Sequence, residues 1–240
     1  MKSAFDLKIG LDKDELYQQS LSKSKERIKS MGEVFTPSEV VKYMCKESFG
    51  KLQTSNIINA KVLEPSCGEG QFITHIIATK WDSLFQQDLS IINAYVSLER
   101  VFNINYFIIM LYHAMSGIYA VDLQSDNVWK CRANAIRVLK EIWEYFNGDT
   151  MPLFVENEIS AIFETNFIVA NTLVDNIIYY IAKPSPSGWQ CVAKYHTMDK
   201  GEGKWVEVEK FSFKSWSEIC GNPKIFKENT KPQYTQGTLF

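Results

Sequence analysis

The chain has 240 residues, 45% of them hydrophobic, which suits one large domain with a buried core or a domain with a small appendage. Its formal net charge of −2 and isoelectric point near 6.0 argue against a nucleic-acid binder that relies on overall positive charge, while leaving a local basic groove open. No apolar run reaches the roughly 18 residues of a spanning helix, and the start Met1–Asp6 has no signal-peptide core, so the expected setting is cytoplasmic with no membrane.

Residues 1–30 are polar, and Asp12 to Ser30 reads as a helix whose second half, Ser22–Lys29, is basic. That run is either a solvated helix face or a phosphate-contacting arm. After Phe35-Thr36-Pro37, Ser38 can cap a helix with Val40, Val41, Met44 and Cys45 on its inner face. Lys61–Glu64 is a short strand that runs into a glycine turn and then a helix from Gln71 to about Phe85, with a further helical stretch over 86–116. Gly117–Asp122 is the next strand, and Ser125 or Asp126 can cap a long helix to about Phe146. Phe167–Ala170 and Ile177–Ile181 read as two more strands. Strands alternating with helices imply a mainly parallel sheet with helices on both faces. Past Pro184 the runs Trp189–Tyr195 and Trp205–Phe211 alternate apolar and polar residues around Lys200-Gly201-Glu202-Gly203, which predicts an antiparallel hairpin.

The turn Glu64-Pro65-Ser66-Cys67-Gly68-Glu69-Gly70 is the main chemical candidate. Glycines let the backbone approach a ligand, and the helix that follows offers unpaired N–H groups. Glu64 and Glu69 would repel a pyrophosphate but suit a cationic or neutral ligand; the plainer reading is a strand-to-helix turn that needs glycine only for its backbone angles. Asp122 ends the next strand, where an acid can accept from ribose hydroxyls or serve a turn. The five cysteines form no Cys-x-x-Cys pair and the three histidines have no metal-ligand spacing, so reduced thiols and no metal are expected.

Phe35-Thr36-Pro37, Leu63 to Gly70 and Gly117 to Asp122 together resemble three successive motifs of adenine-N6 DNA methyltransferases, the modification enzymes of restriction systems and their phage relatives. The likeness covers about residues 15–175. It implies a Rossmann-like class I S-adenosylmethionine-dependent methyltransferase fold, with helices on both faces of a mainly parallel sheet and a C-terminal antiparallel hairpin. It also implies S-adenosyl-L-methionine as cofactor. Phe35, Thr36, Pro37, Glu64, Pro65, Ser66, Cys67, Gly68 and Gly70 would hold its methionine end, Asp122 with Leu123 its ribose, and Asn171 its adenine. Glu64 stands where the family has Asp, and Glu69 where it has a small residue.

The resemblance further implies DNA methylation at adenine N6, in which the target base leaves the duplex and is gripped by an Asn-Pro-Pro-aromatic loop after the fourth strand. Here that place reads Lys183-Pro184-Ser185-Pro186. A charged Lys183 cannot accept from an adenine amino group, and no aromatic stands in the fourth position. Asn222-Pro223 lies far downstream with no strand leading into it and is read as a decoy. Three functions follow: an active DNA methyltransferase, a catalytically degenerate relative acting as a cofactor-binding subunit or decoy, and a methyltransferase of RNA or a small molecule. The Phe-Thr-Pro segment favours the DNA lineage over the last. The expected organisation is an N-terminal segment over 1–37, a methyltransferase domain over 38–220 and a tail over 221–240. Besides DNA, the partners implied are a second methyltransferase or specificity subunit, in a bacterial or phage-infected cell, and the bacterial sliding clamp. The last is implied by Gln236-Gly237-Thr238-Leu239-Phe240, which resembles a clamp-docking peptide: Gln236 supplies polar contacts and Leu239 and Phe240 supply apolar anchors.

Overall fold

The computed structural model describes residues 2–7, 36–95, 101–173, 175, 177–185, 187–199 and 202–220, by backbone alone over 87–95, 101–106, 198–199 and 202. The expected helix over Asp12–Ser30, Phe35, Pro186, the Asn222-Pro223 pair and the tail residues Gln236, Leu239 and Phe240 lie outside these residues. The chain is mixed α/β, with a parallel three-stranded sheet flanked by helices and a separate antiparallel three-stranded sheet.

Helices α1 (Ser38–Phe49) and α2 (Thr54–Asn59) lead into strand β1 (Val62–Glu64). Pro37 is the N-cap of α1, and no side chain caps it. Its buried residues are Val41, Cys45 and Phe49, one turn apart, whereas Val40 and Met44 of the expected inner face are exposed. Two helices, α3 (Gln71–Tyr95) and α4 (Val101–Ser116), separate β1 from β2 (Ile118–Asp122). Two more, α5 (Ser125–Asn147) and α6 (Leu153–Asn166), separate β2 from β3 (Phe167–Val169). The N-cap of α5 is Gln124 rather than Ser125 or Asp126, and the helix ends on Gly148 in the left-handed conformation. The strand order is β1-β2-β3, all parallel, with Leu63 opposite Tyr119 and Asp122 opposite Val169. Every residue of the central strand β2 is buried, as the run Ile-Tyr-Ala-Val-Asp leads one to expect.

The two faces of this sheet differ. Ile118 and Ala120 join the main core, which α3, α5 and α6 fill with Ile73, Ile77, Trp81, Leu139, Ile142, Ile162 and Phe163. Tyr119 and Val121 point the other way and pack with Ile177 and Tyr179 in a second cluster that holds no helical residue. The expected fourth strand is the departure: β4 (Ile178–Ser185) does not join the parallel sheet. It pairs antiparallel with β5 (Gly188–Asp199), which pairs in turn with β6 (Glu202–Phe213). The predicted hairpin is present, but it is two-thirds of a sheet of its own. A short helix, α7 (Trp216–Cys220), packs Trp216 and Ile219 against this sheet and α6.

Two polar anchors that the sequence pattern does not announce complete the core. Ala4 of the N-terminal segment is fully buried, and Asp82 on α3 accepts from Ser3 Oγ at 2.5 Å and Ala4 N–H at 2.6 Å. Lys80, also fully buried on α3, donates to the carbonyls of Ile57, Ile58 and Ala60 at 3.1, 3.1 and 2.8 Å. These are carbonyls at the C-terminal end of α2, where helical acceptors lack partners. Among the described residues, no helix is long and apolar enough to cross a membrane.

Candidate functional site: the glycine loop and its clamp

The loop between β1 and α3 lies at the carboxyl ends of the parallel strands, where open α/β sheets present their ligand crevices. The turn is closed by Cys67 N–H on Val121 O and Gly70 N–H on Cys67 O, both at 2.9 Å. Gly68 and Gly70 have positive φ, 51° and 96°, for different reasons. A Cβ on Gly68 would meet nothing within 4 Å, so this glycine borders open space. One on Gly70 would fall 2.9 Å from Cys131 Sγ and 3.2 Å from its Cα, so that glycine is required by close packing on α5.

Asp122 clamps the loop. Its Oδ2 accepts from Gly68 N–H at 2.9 Å, and its Oδ1 accepts from Gln124 N–H at 2.9 Å and Asn127 Nδ2 at 3.2 Å. An ionised carboxylate has about four acceptor positions. Three are taken, so Asp122 has one left for a ribose hydroxyl rather than a pair. Of the two readings drawn from the sequence, these bonds belong to the turn, which Asp122 holds from both sides.

Helix α5 supplies the rest of the clamp. Lys130 Nζ meets Glu69 Oε1 at 2.8 Å, and Asn134 Nδ2 donates to Glu69 O at 2.9 Å. Glu69 is therefore neutralised and turned toward α5. Asn127, Lys130, Cys131 and Asn134 follow helical i, i+3, i+4, i+7 spacing, which puts them on one stripe facing the loop. Sequence reasoning missed them; the signal was available in that polar stripe one turn beyond Asp122. Cys67 is buried, and its hydrogen bond with Cys131, then burial, hold its thiol far above the ordinary range. All the described thiols are free.

Glu64 Oε1 accepts from Ser66 N–H at 3.2 Å, and its second oxygen has no donor among the described residues. Burial raises its pKa, the Ser66 N–H opposes that, and the Asp122 charge adds to the rise. Cys45 on the inner face of α1 is pushed up to about 11, by burial first and by the Glu64 charge second. The helix entered through Thr36 and Pro37 therefore lies beside Glu64. Across the site, Thr172 Oγ1 donates to Pro65 O at 3.3 Å, which brings the turn after β3 to the glycine loop. In that turn Asn171 Oδ1 accepts from Leu173 N–H at 3.0 Å, an Asx turn that occupies its carbonyl but not its amide donors. Leu123 and Leu173 are exposed at the rim, as are Pro65 and Ser66.

The structure brings together Glu64 to Gly70, Asp122, Leu123, Asn171 and the helix behind Thr36-Pro37. It does not bring Lys183, Pro184 and Ser185 to them as a loop. These residues lie within β4, paired with Gln190, Trp189 and Gly188 of β5. Lys183 is near Lys61, which precedes β1, whereas the glycine loop follows it. The physical reason is the antiparallel ladder, which keeps β4 extended beyond Ile181; Pro184 is tolerated because β4 is an edge strand. No family model, curated protein or solved structure matches this chain at a significant level.

Proposed function

We propose that this chain has a Rossmann-like class I fold, binds S-adenosyl-L-methionine at the Glu64–Gly70 loop, and serves methyl transfer to the N6 amino group of adenine in DNA. The observation that supports the cofactor reading best is the Gly68 N–H to Asp122 Oδ2 bond, which ties the glycine loop to the acid of the neighbouring parallel strand. Open space beyond Gly68, the free Glu64 oxygen and the remaining acceptor of Asp122 fit a ligand with a cationic amino-acid end and a ribose. Once bound, such a cofactor supplies an electrophilic methyl group. The chain's own residues bind and orient: Gly68 leaves room, Glu64 faces a cation, Asp122 accepts one hydroxyl, and Lys130 with Asn134 keeps Glu69 away.

A specific observation favours a second reading, a catalytically degenerate subunit that binds cofactor and leaves catalysis to a partner. Lys183–Ser185 are strand residues, and Lys183 offers only donors to an adenine amino group. One pair of measurements separates the readings. Calorimetry with S-adenosylmethionine should give binding that Gly68→Trp abolishes while the fold persists; no heat from folded protein at millimolar ligand overturns the cofactor reading. Incubation of the protein with tritiated cofactor and unmodified bacterial DNA should then label the DNA. Binding without label selects the degenerate subunit.

A further inference from the structure

On the face of the parallel sheet that carries Tyr119, a groove of about 370 Å³ opens between β1, β2 and the antiparallel sheet. Its lining includes Lys61, Tyr119, Tyr179, Lys194 and Trp205. The volume falls within the ~300–1,000 Å³ typical of small-ligand sites. The aromatics form a continuous series: Tyr119 and Tyr179 have ring centroids 5.6 Å apart, as do Tyr179 and Trp205, and His196 stands 5.3 Å from Trp205. Trp205 is 52% exposed, an indole left at the mouth of the groove where burial alone would not leave it.

The charged residues that line this groove are both lysines. Lys61 and Lys194 line it, and Lys183 follows Tyr179 and Ile181 at the strand period of two, on the same side of β4. Among the described residues, no carboxylate pairs with any of the three ammonium groups. Glu207 stands opposite Lys194 in the β5–β6 register, but it pairs with Lys210 at 3.0 Å. Lys61 reaches solvent at the mouth, yet the surrounding protein first, and the Lys183 charge second, bring its ammonium down to about 8. Neighbouring ammonium groups without a counter-charge raise the energy of the free protein, and a phosphate between them would relieve that. Flat aromatic rings beside ammonium groups are also the combination that holds a base and its phosphate.

We propose that this groove binds a nucleotide unit, its base stacked on the exposed ring of Trp205 and its phosphate on Lys61, Lys183 and Lys194. The unit can come from a free nucleotide or from a single strand. The site is separate from the glycine loop and does not rest on the cofactor reading. A phosphopeptide would satisfy the lysines but has no general use for the aromatic series.

The test uses the full chain, a short fluorescein-labelled oligothymidylate followed by fluorescence anisotropy, and adenosine monophosphate as competitor. The labelled strand should bind. Trp205→Ala should weaken binding about tenfold, the loss of one stacked base. The double variant Lys61→Ser, Lys194→Ser should weaken it further and make the salt dependence shallower by up to about 0.7 in the log–log slope, the loss of one strand phosphate. Lys194→Arg should keep most of the affinity. Displacement by the mononucleotide identifies a free-nucleotide site, and strand binding that it does not displace identifies a strand site. If neither probe binds the folded wild-type chain, or if the variants melt like wild type and bind as well as it does, the proposal is overturned. S-adenosylmethionine binding, measured on the same variants, reports on the glycine loop alone.

Discussion

The two sheets solve the same problem by different means. In the antiparallel sheet, β5 and β6 are 12 residues each and pair along nearly their whole length, so the ladder itself satisfies the backbone. In the parallel sheet, β1 and β3 are 3 residues each and β2 is 5, too short for the ladder to reach the ends. There, side chains do the joining. Lys80 closes three carbonyls, Asp122 holds two N–H groups, and Asn166 Nδ2 donates to Ser116 O. Arg132 takes the carbonyls of Glu164 and Phe167. A short parallel sheet with one buried central strand thus depends on individual polar side chains, whereas a long antiparallel one spreads the same task over many equivalent bonds.

This contrast is easiest to break at Lys80. Lys80→Met should destabilise the chain by about 4 kcal/mol, because three carbonyls lose their donor inside the core. The effect depends on pH. Burial, then the Lys61 charge, lower the Lys80 pKa from 10.5 to about 7, so between those values the unfolded chain holds the proton more readily. Stability from this residue rises with pH across that window, and the gap between wild type and Lys80→Met should widen as pH increases from about 7 to about 10. Urea unfolding of both proteins at several pH values measures it; a gap that narrows refutes the assignment.

The glycine loop sharpens the contrast with a smaller effect. Gly70→Ala forces a Cβ onto Cys131 at a positive φ and should cost about 3 kcal/mol, whereas Gly68→Ala borders open space and should cost about 1 kcal/mol. Thermal melts of the two variants should separate in that order. At the exposed end of the scale, Lys210→Ala removes a pair from β6 whose side chains are 69% and 43% exposed, and should change stability by less than about 0.5 kcal/mol. A larger loss there would mean that the antiparallel sheet also leans on single contacts.

Much of this was readable from local pattern. The strand into Glu64, the two glycines, the strand ending at Asp122, the long helix after it and the alternation flanking Gly203 all recur in the structure, because each rests on periodicity or turn chemistry within a few residues. The direction of β4 was not readable. Ile177–Ile181 is a short apolar run, which marks a buried strand but carries no sign of whether its neighbour runs parallel or antiparallel. Nor did the sequence reveal that Asp82 would receive residues 3 and 4, or that Lys80 would enter the core. Both are bonds across tens of residues, and a lone lysine among Ile76, Ile77 and Trp81 has the same local signature whether it caps a neighbour or reaches solvent.

The Asp122 clamp has a thermodynamic consequence. With Gly68 and Gln124 already hydrogen-bonded to its carboxylate, and Glu69 already held by Lys130 and Asn134, the loop has its shape before any ligand arrives. A ligand entering it has little chain to order, so the entropy usually lost in folding a loop around a guest is absent from the binding free energy. The Gly68 amide should therefore exchange its hydrogen slowly in the free protein. The heat-capacity change on binding should reflect only the surface the ligand itself covers, with no contribution from a loop that closes.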